Sequence, residues 1–171
     1  MTADEARLLK ENLSSCRERI ESLKYSLNKN LPIFPLNLET LSRLSAEQKE
    51  AIDALILRYS QCVSMIQDQL FRSIALAEQE DIHAKSNRDK SLLMEKLGAL
   101  KSADDFSVAI VLRNKFAHHY PEESRKQLDR LNLLIKESKF VIDVFDNITR
   151  YLADKHLLMP VILSEKNDVR Q

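Results

Sequence analysis

The stretch SAEQKEAIDALILRYSQCVSMIQDQLFRSIALAEQE, Ser45 to Glu80, places apolar side chains at Ile52, Leu55, Ile56, Tyr59, Val63, Ile66, Leu70, Ile74 and Ala77. Steps mostly of three and four gather these residues on one side of a helix with 3.6 residues per turn. Ser45 and Gln48 stand at capping-box spacing just ahead of the first apolar position, which fixes the start of the helix. The chain has one glycine and four prolines in 171 residues. Sheets rely on many tight turns, and those turns lean on glycine and proline. The expected class is therefore all-α, an antiparallel helical bundle of four to five helices.

Upstream, Ala6, Leu9, Leu13, Cys16, Ile20, Leu23 and Leu27 mark one stripe of a helix over Asp4 to Asn28. The period alone leaves open whether that stripe packs inside the bundle or against a second copy. Pro32 and Pro35 break the pattern, while Leu31, Ile33, Phe34, Leu36 and Leu38 suggest a connection lying on the bundle. Downstream, residues Gln79 to Lys90 read as a solvated connection, followed by a short helix from about Asp89 to Leu97 that stops at Gly98. Ser102 and Asp105 begin a fourth helix with Phe106, Ala109, Ile110, Phe116 and Ala117 inward, closed by Pro121. Pro121, Glu122 and Glu123 then suit the first turn of a last helix. It runs to about Asp154, with Leu128, Leu131, Leu134, Ile135, Ile142, Phe145, Ile148 and Leu152 inward. The tail from Lys155 combines a short apolar segment with a polar end. This length supports one core, so residues 1–171 are expected to form a single domain.

Lysine plus arginine equals aspartate plus glutamate, 26 of each, so no general basic field attracts nucleic acid. Any RNA binding must be local. The acidic start and the lack of a long apolar run give no secretory signal or membrane span, and a cytoplasmic protein is expected. Cys16 and Cys62 lie far apart without metal-ligand spacing, as expected of reduced, buried thiols.

Chemistry concentrates in Leu112 to Pro121, Leu-Arg-Asn-Lys-Phe-Ala-His-His-Tyr-Pro. Residues five apart on a regular helix differ by about 140° around its axis, so Arg113 and His118 share a face only if the last turn unwinds before Pro121. A histidine there feels the negative end of the helix dipole and has an ordinary pKa of about 6.5, suited to proton transfer at neutral pH. Such a set fits metal-independent RNA cleavage. His118 would take the 2'-hydroxyl proton or protonate the leaving 5'-oxygen, while Arg113 would hold non-bridging phosphate oxygens. Asn114 is a candidate to orient the loop or a phosphate. No carboxylate and histidine cluster points to a metal, and His83 and His156 are isolated in sequence. No cofactor is expected.

The spacing from Arg113 through His118 to Tyr120, arginine, four residues, histidine, any residue, tyrosine, resembles the signature of HEPN domains and specifically of HepT-like toxins. Leu57-Arg-Tyr and Ile66-Gln-Asp-Gln-Leu give a softer match to the second helix of HepT-like and nucleotidyltransferase-substrate-binding families. The resemblance covers about residues 44–152. It implies a homodimer in which two motifs face one cleft, cleaving RNA to a 2',3'-cyclic phosphate and a 5'-hydroxyl. It also implies an MNT-type nucleotidyltransferase antitoxin that attaches AMP to the motif tyrosine, here Tyr120, and so blocks the phosphate site. His119 stands as an alternative to His118, because the broader HEPN pattern allows four to six intervening residues. The relation to Tyr120 selects His118.

Two functions fit these residues. One is an endoribonuclease toxin controlled at Tyr120, and the other is a non-catalytic substrate-binding or adaptor subunit of a nucleotidyltransferase. Arg58 and Asp68 read as an ion pair or as two solvated residues rather than as further catalytic contacts.

Overall fold

A computed structural model describes residues 1–117 and 123–158. Those residues form a helical bundle with no strand among them. Helix α1 spans Ala3–Asn30, and its N-cap Thr2 and Glu5 complete a capping box. Leu9, Leu13, Cys16, Ile20, Leu23 and Leu27 are all buried, so the stripe packs within the bundle. The proline-containing segment does lie on the bundle, but it also forms a short helix, α2, Leu38–Ser42, that hydrophobic period did not reveal. Asn37 caps it by accepting from the Thr40 amide. The segment is pinned by Asn132, whose amide accepts from the Leu36 N–H at 2.8 Å and donates to the Leu36 carbonyl at 2.9 Å. Beneath it Leu36, Ile52 and Leu131 make a small apolar cluster of their own.

The Ser45 stretch forms one continuous rod. Ser45 and Gln48 make the expected capping box, α3 spans Ala46–Met65, a π turn covers Ile66–Leu70, and α4 continues over Phe71–Ala77. Helix α5, Asn87–Leu97, starts at a Ser86–Asp89 capping box and ends at Gly98, which adopts φ 86°. Only glycine occupies that left-handed region without strain. Helix α6, Ala103–Ala117, starts with the Asp105 amide donating to Ser102 Oγ. It buries Ala103, Phe106, Ala109 and Leu112, leaves Ile110 and Phe116 half-buried, and exposes Ala117. The inward face of α6 therefore includes Leu112 and excludes Ala117, because buried positions repeat every three residues from Ala103. Helix α7, Ser124–Asp154, starts at Ser124 with Glu123 as N-cap. The Pro121 start that the sequence suggests lies outside the described residues.

The principal core joins α1, the α3–α4 rod, α5, α6 and α7, with Tyr59, Phe71 and Phe106 among its largest sealed side chains. Among the described residues, no helix is long and apolar enough to cross a membrane.

Candidate functional site

Helix α6 presents Arg113 half-buried and Asn114 exposed near its C-terminal end, while Leu112 faces the core. His118, His119 and Tyr120 lie outside the described residues. Arg113 Nη2 donates to Gln67 Oε1 at 3.3 Å. Gln67 is fully buried and belongs to the π turn of the α3–α4 rod. A π turn adds a residue to the helical repeat and commonly marks a functional site. Here it carries a polar side chain in the core that accepts from the motif arginine. Gln67 Nε2 and Arg113 Nε are both sealed from solvent without a hydrogen-bond partner. Buried donors of this kind are costly, and native proteins keep few of them.

Beneath Arg113, the Tyr59 hydroxyl donates to the Ala109 carbonyl at 2.9 Å. Tyr59 is fully buried, and burial drives its phenol pKa far above the ordinary value. The nearby charge of Glu137 adds to that shift and Arg113 opposes it. Glu137 on α7 is 4 % exposed, and its Oε2 has no partner. Burial raises its carboxyl pKa, Lys136 pulls it down and Asp105 pushes it further up. Tyr59, Arg113 and Glu137 therefore form a polar seam where α3, α6 and α7 meet.

The last turn of α6 is held from α7. Arg130 Nη1 donates to the Lys115 carbonyl at 2.7 Å, and its guanidinium lies 5.3 Å from the Phe116 ring centroid. A cation there sits at the negative end of the α6 dipole. Around this point opens a groove of about 980 Å³, lined by Leu41, Leu57, Lys115, Phe116, Ser124 and Arg130 among others. A second, shallower cleft of about 420 Å³ lies on the α1, α3 and α6 side of Arg113.

Comparison of the chain with protein-family profiles, curated sequences and solved structures yields no match. The chemistry therefore rests on the residues themselves. Among the described residues no group of three or more histidine, cysteine, aspartate or glutamate side chains is arranged to hold a metal. Cys16 and Cys62 are buried free thiols, each pushed up to about 12 chiefly by burial. Arg58 turns to α1, donating to the Ser22 carbonyl at 3.3 Å and to Ser26 Oγ, with its guanidinium over the Tyr25 ring. Asp68 is exposed, so Arg58 is a structural tie to α1 rather than its ion-pair partner.

Of the structural partners, Gln67 was visible only as part of a motif-like run, and neither Arg130 nor Glu137 stood out in sequence. Arg130 lies 17 residues beyond Arg113 on another helix, and Glu137 lies on the apolar side of a charged helix. Tertiary packing, not spacing, brings Gln67 to Arg113 and Arg130 to the last turn of α6.

Proposed function

We propose that the protein is a HEPN-type endoribonuclease toxin acting without a metal cofactor. The observation that carries this reading is the sequence spacing of Arg113, His118 and Tyr120, together with the buried polar side chain of a neighbouring π turn that positions Arg113 on α6. A solvated surface arginine needs no such partner. In the proposed reaction the ribose 2'-oxygen attacks the adjacent phosphorus as the bond to the 5'-oxygen breaks. His118 takes or returns the proton, with His119 the alternative. Arg113 stabilises the charge that accumulates on the non-bridging oxygens, and Asn114 helps to orient the strand. The product pair is a 2',3'-cyclic phosphate and a 5'-hydroxyl, and no water enters the step.

In this reading two copies pair so that both motifs face one cleft, concentrating positive charge in a protein of zero net formal charge. The cytoplasmic partner is an MNT-type nucleotidyltransferase antitoxin, which transfers AMP to the Tyr120 hydroxyl with release of pyrophosphate from ATP. The added phosphate competes for the arginine and excludes RNA.

The test is incubation of unmodified protein with a structured RNA in excess EDTA, beside His118→Ala, followed by analysis of the cleaved ends. Cyclic-phosphate ends that disappear in the variant are expected. No cleavage, or equal cleavage by both proteins, overturns the nuclease and leaves the adaptor of a nucleotidyltransferase as the better reading.

A further inference from the structure

The 420 Å³ cleft beside Arg113 is lined by Arg19 of α1, Ser60, Gln61, Ser64 and Met65 of α3, and Arg113 of α6. Its lining thus holds two guanidinium groups, two hydroxyls and an amide, with no carboxylate. That composition suits an anion rather than a cation. It is notable in a chain whose acidic and basic residues balance, 26 against 26.

Arg19 is exposed, and among the described residues it makes no ion pair or hydrogen bond. The other arginines of α1 are engaged. Arg7 pairs with Asp4 and Glu11, and Arg17 lies 5.9 Å from the Phe145 ring centroid. Arg113 is loosely held too, since its bond to Gln67 is 3.3 Å, and although its Nε is sealed from solvent its side chain lines the cleft. Charge-assisted bonds from guanidinium to an anionic oxygen close to about 2.7–2.9 Å. A tetrahedral oxyanion presents several acceptors at once to converging guanidinium groups, and hydroxyls flank it here.

We infer that Arg19 and Arg113 together hold one backbone phosphate of the bound RNA in this cleft, with Ser60 and Ser64 as flanking donors. The assignment rests on the proposed ribonuclease function. It adds the first helix, which carries no part of the motif, to the substrate-binding surface. Arg19 is a binding residue in this scheme, stabilising bound substrate and transition state alike.

The test uses a single-stranded, 2'-O-methylated RNA, which cannot be cleaved because the attacking hydroxyl is blocked. Binding is followed by fluorescence anisotropy between about 50 and 200 mM salt. Arg19→Ala is expected to weaken binding about tenfold and to reduce the steepness of the log affinity against log salt plot by about 0.7, the value of one single-strand phosphate contact. Arg19→Lys should recover most of the slope, because the charge is kept. Arg7→Ala serves as the charge control. It removes the same charge on the same helix at a distance of roughly 18 Å, beyond the screening length at physiological salt. With cleavable RNA, Arg19→Ala should raise KM about tenfold and leave kcat within about threefold of the parent, the pattern of uniform binding. Parent binding that Arg19→Ala leaves unchanged overturns this inference alone, as does an equal loss in Arg7→Ala. A parent that neither binds nor cleaves RNA overturns the inference and the proposed function together.

Discussion

Gln67 and Arg113 set opposite demands on one contact. For stability, a buried amide with an unpartnered Nε2 is a defect, and Gln67→Leu replaces it with an apolar side chain of similar size. For catalysis, the same change removes the acceptor that orients the guanidinium. Gln67→Leu relieves the unpartnered Nε2 but leaves Arg113 Nη2 without its acceptor, so it is expected to stay within about 1 kcal/mol of the parent in urea unfolding while losing about 10²-fold in kcat/KM for RNA cleavage, the scale of a small misplacement of a reacting group. A variant with parental cleavage would show that the contact is structural only. Glu137 gives a second prediction at this scale. Its folded-state pKa lies above the ordinary 4.5, so the folded protein keeps the proton to higher pH than the unfolded chain. Stability is then greatest below the ordinary value and declines as pH rises from there through the folded value. Glu137→Gln should melt a few degrees above the parent at about pH 8, and the gain should vanish near about pH 4. A gain that is the same at both pH values would exclude carboxylate burial as its cause.

The elements themselves were largely legible, because their signals are local. Ser45 with Gln48, Ser102 with Asp105 and Gly98 after Leu97 act within a few residues, and the structure forms each cap, whereas the Ser86–Asp89 box at the start of α5 was not read. Two features were not legible for the same physical reason. The inward phase of α6 depends on what packs against Ala103 and Leu112, and α2 depends on the Asn37 cap within a segment fastened by a residue far along the chain. Asn132, 96 positions from Leu36, replaces the pairing that a neighbouring strand would supply. Asn132→Ala leaves a buried N–H and C=O at Leu36 without their partner, and is expected to cost about 2–4 kcal/mol in chemical denaturation. Gly98→Ala tests a different kind of constraint. A Cβ at Gly98 meets nothing within 4 Å, so the cost arises from φ 86° alone, about 1 kcal/mol or roughly 2–4 °C in Tm for a chain of this size. A larger loss would indicate packing strain that the open space around Gly98 does not provide.

At the scale of the molecule, the candidate site was half legible. Its motif could be read because the residues are close in sequence, whereas its support from Gln67, Arg130 and Glu137 depends on how whole helices lie together. The same assembly seals Cys16 and Cys62 where α1 meets α3, and with both thiols pushed up to about 12 they are expected to react with a thiol reagent at neutral pH only after unfolding. Reaction of both in the native protein, measured by absorbance in the presence and absence of urea, would show that this interface opens. The π turn in the rod carries a further consequence, for the lengths of chain that this bundle tolerates. Removing one residue from Ile66–Leu70 would let an ordinary α-helix run straight through, at no loss of backbone hydrogen bonding. It would also keep the far half in phase, since with one residue fewer Ile74 would stand 18 positions, five full turns, beyond Leu55, and both would still face the core. Relatives can therefore lose a single residue here and keep the far end of the bundle, and what such a loss disturbs is the placement of Gln67 against Arg113.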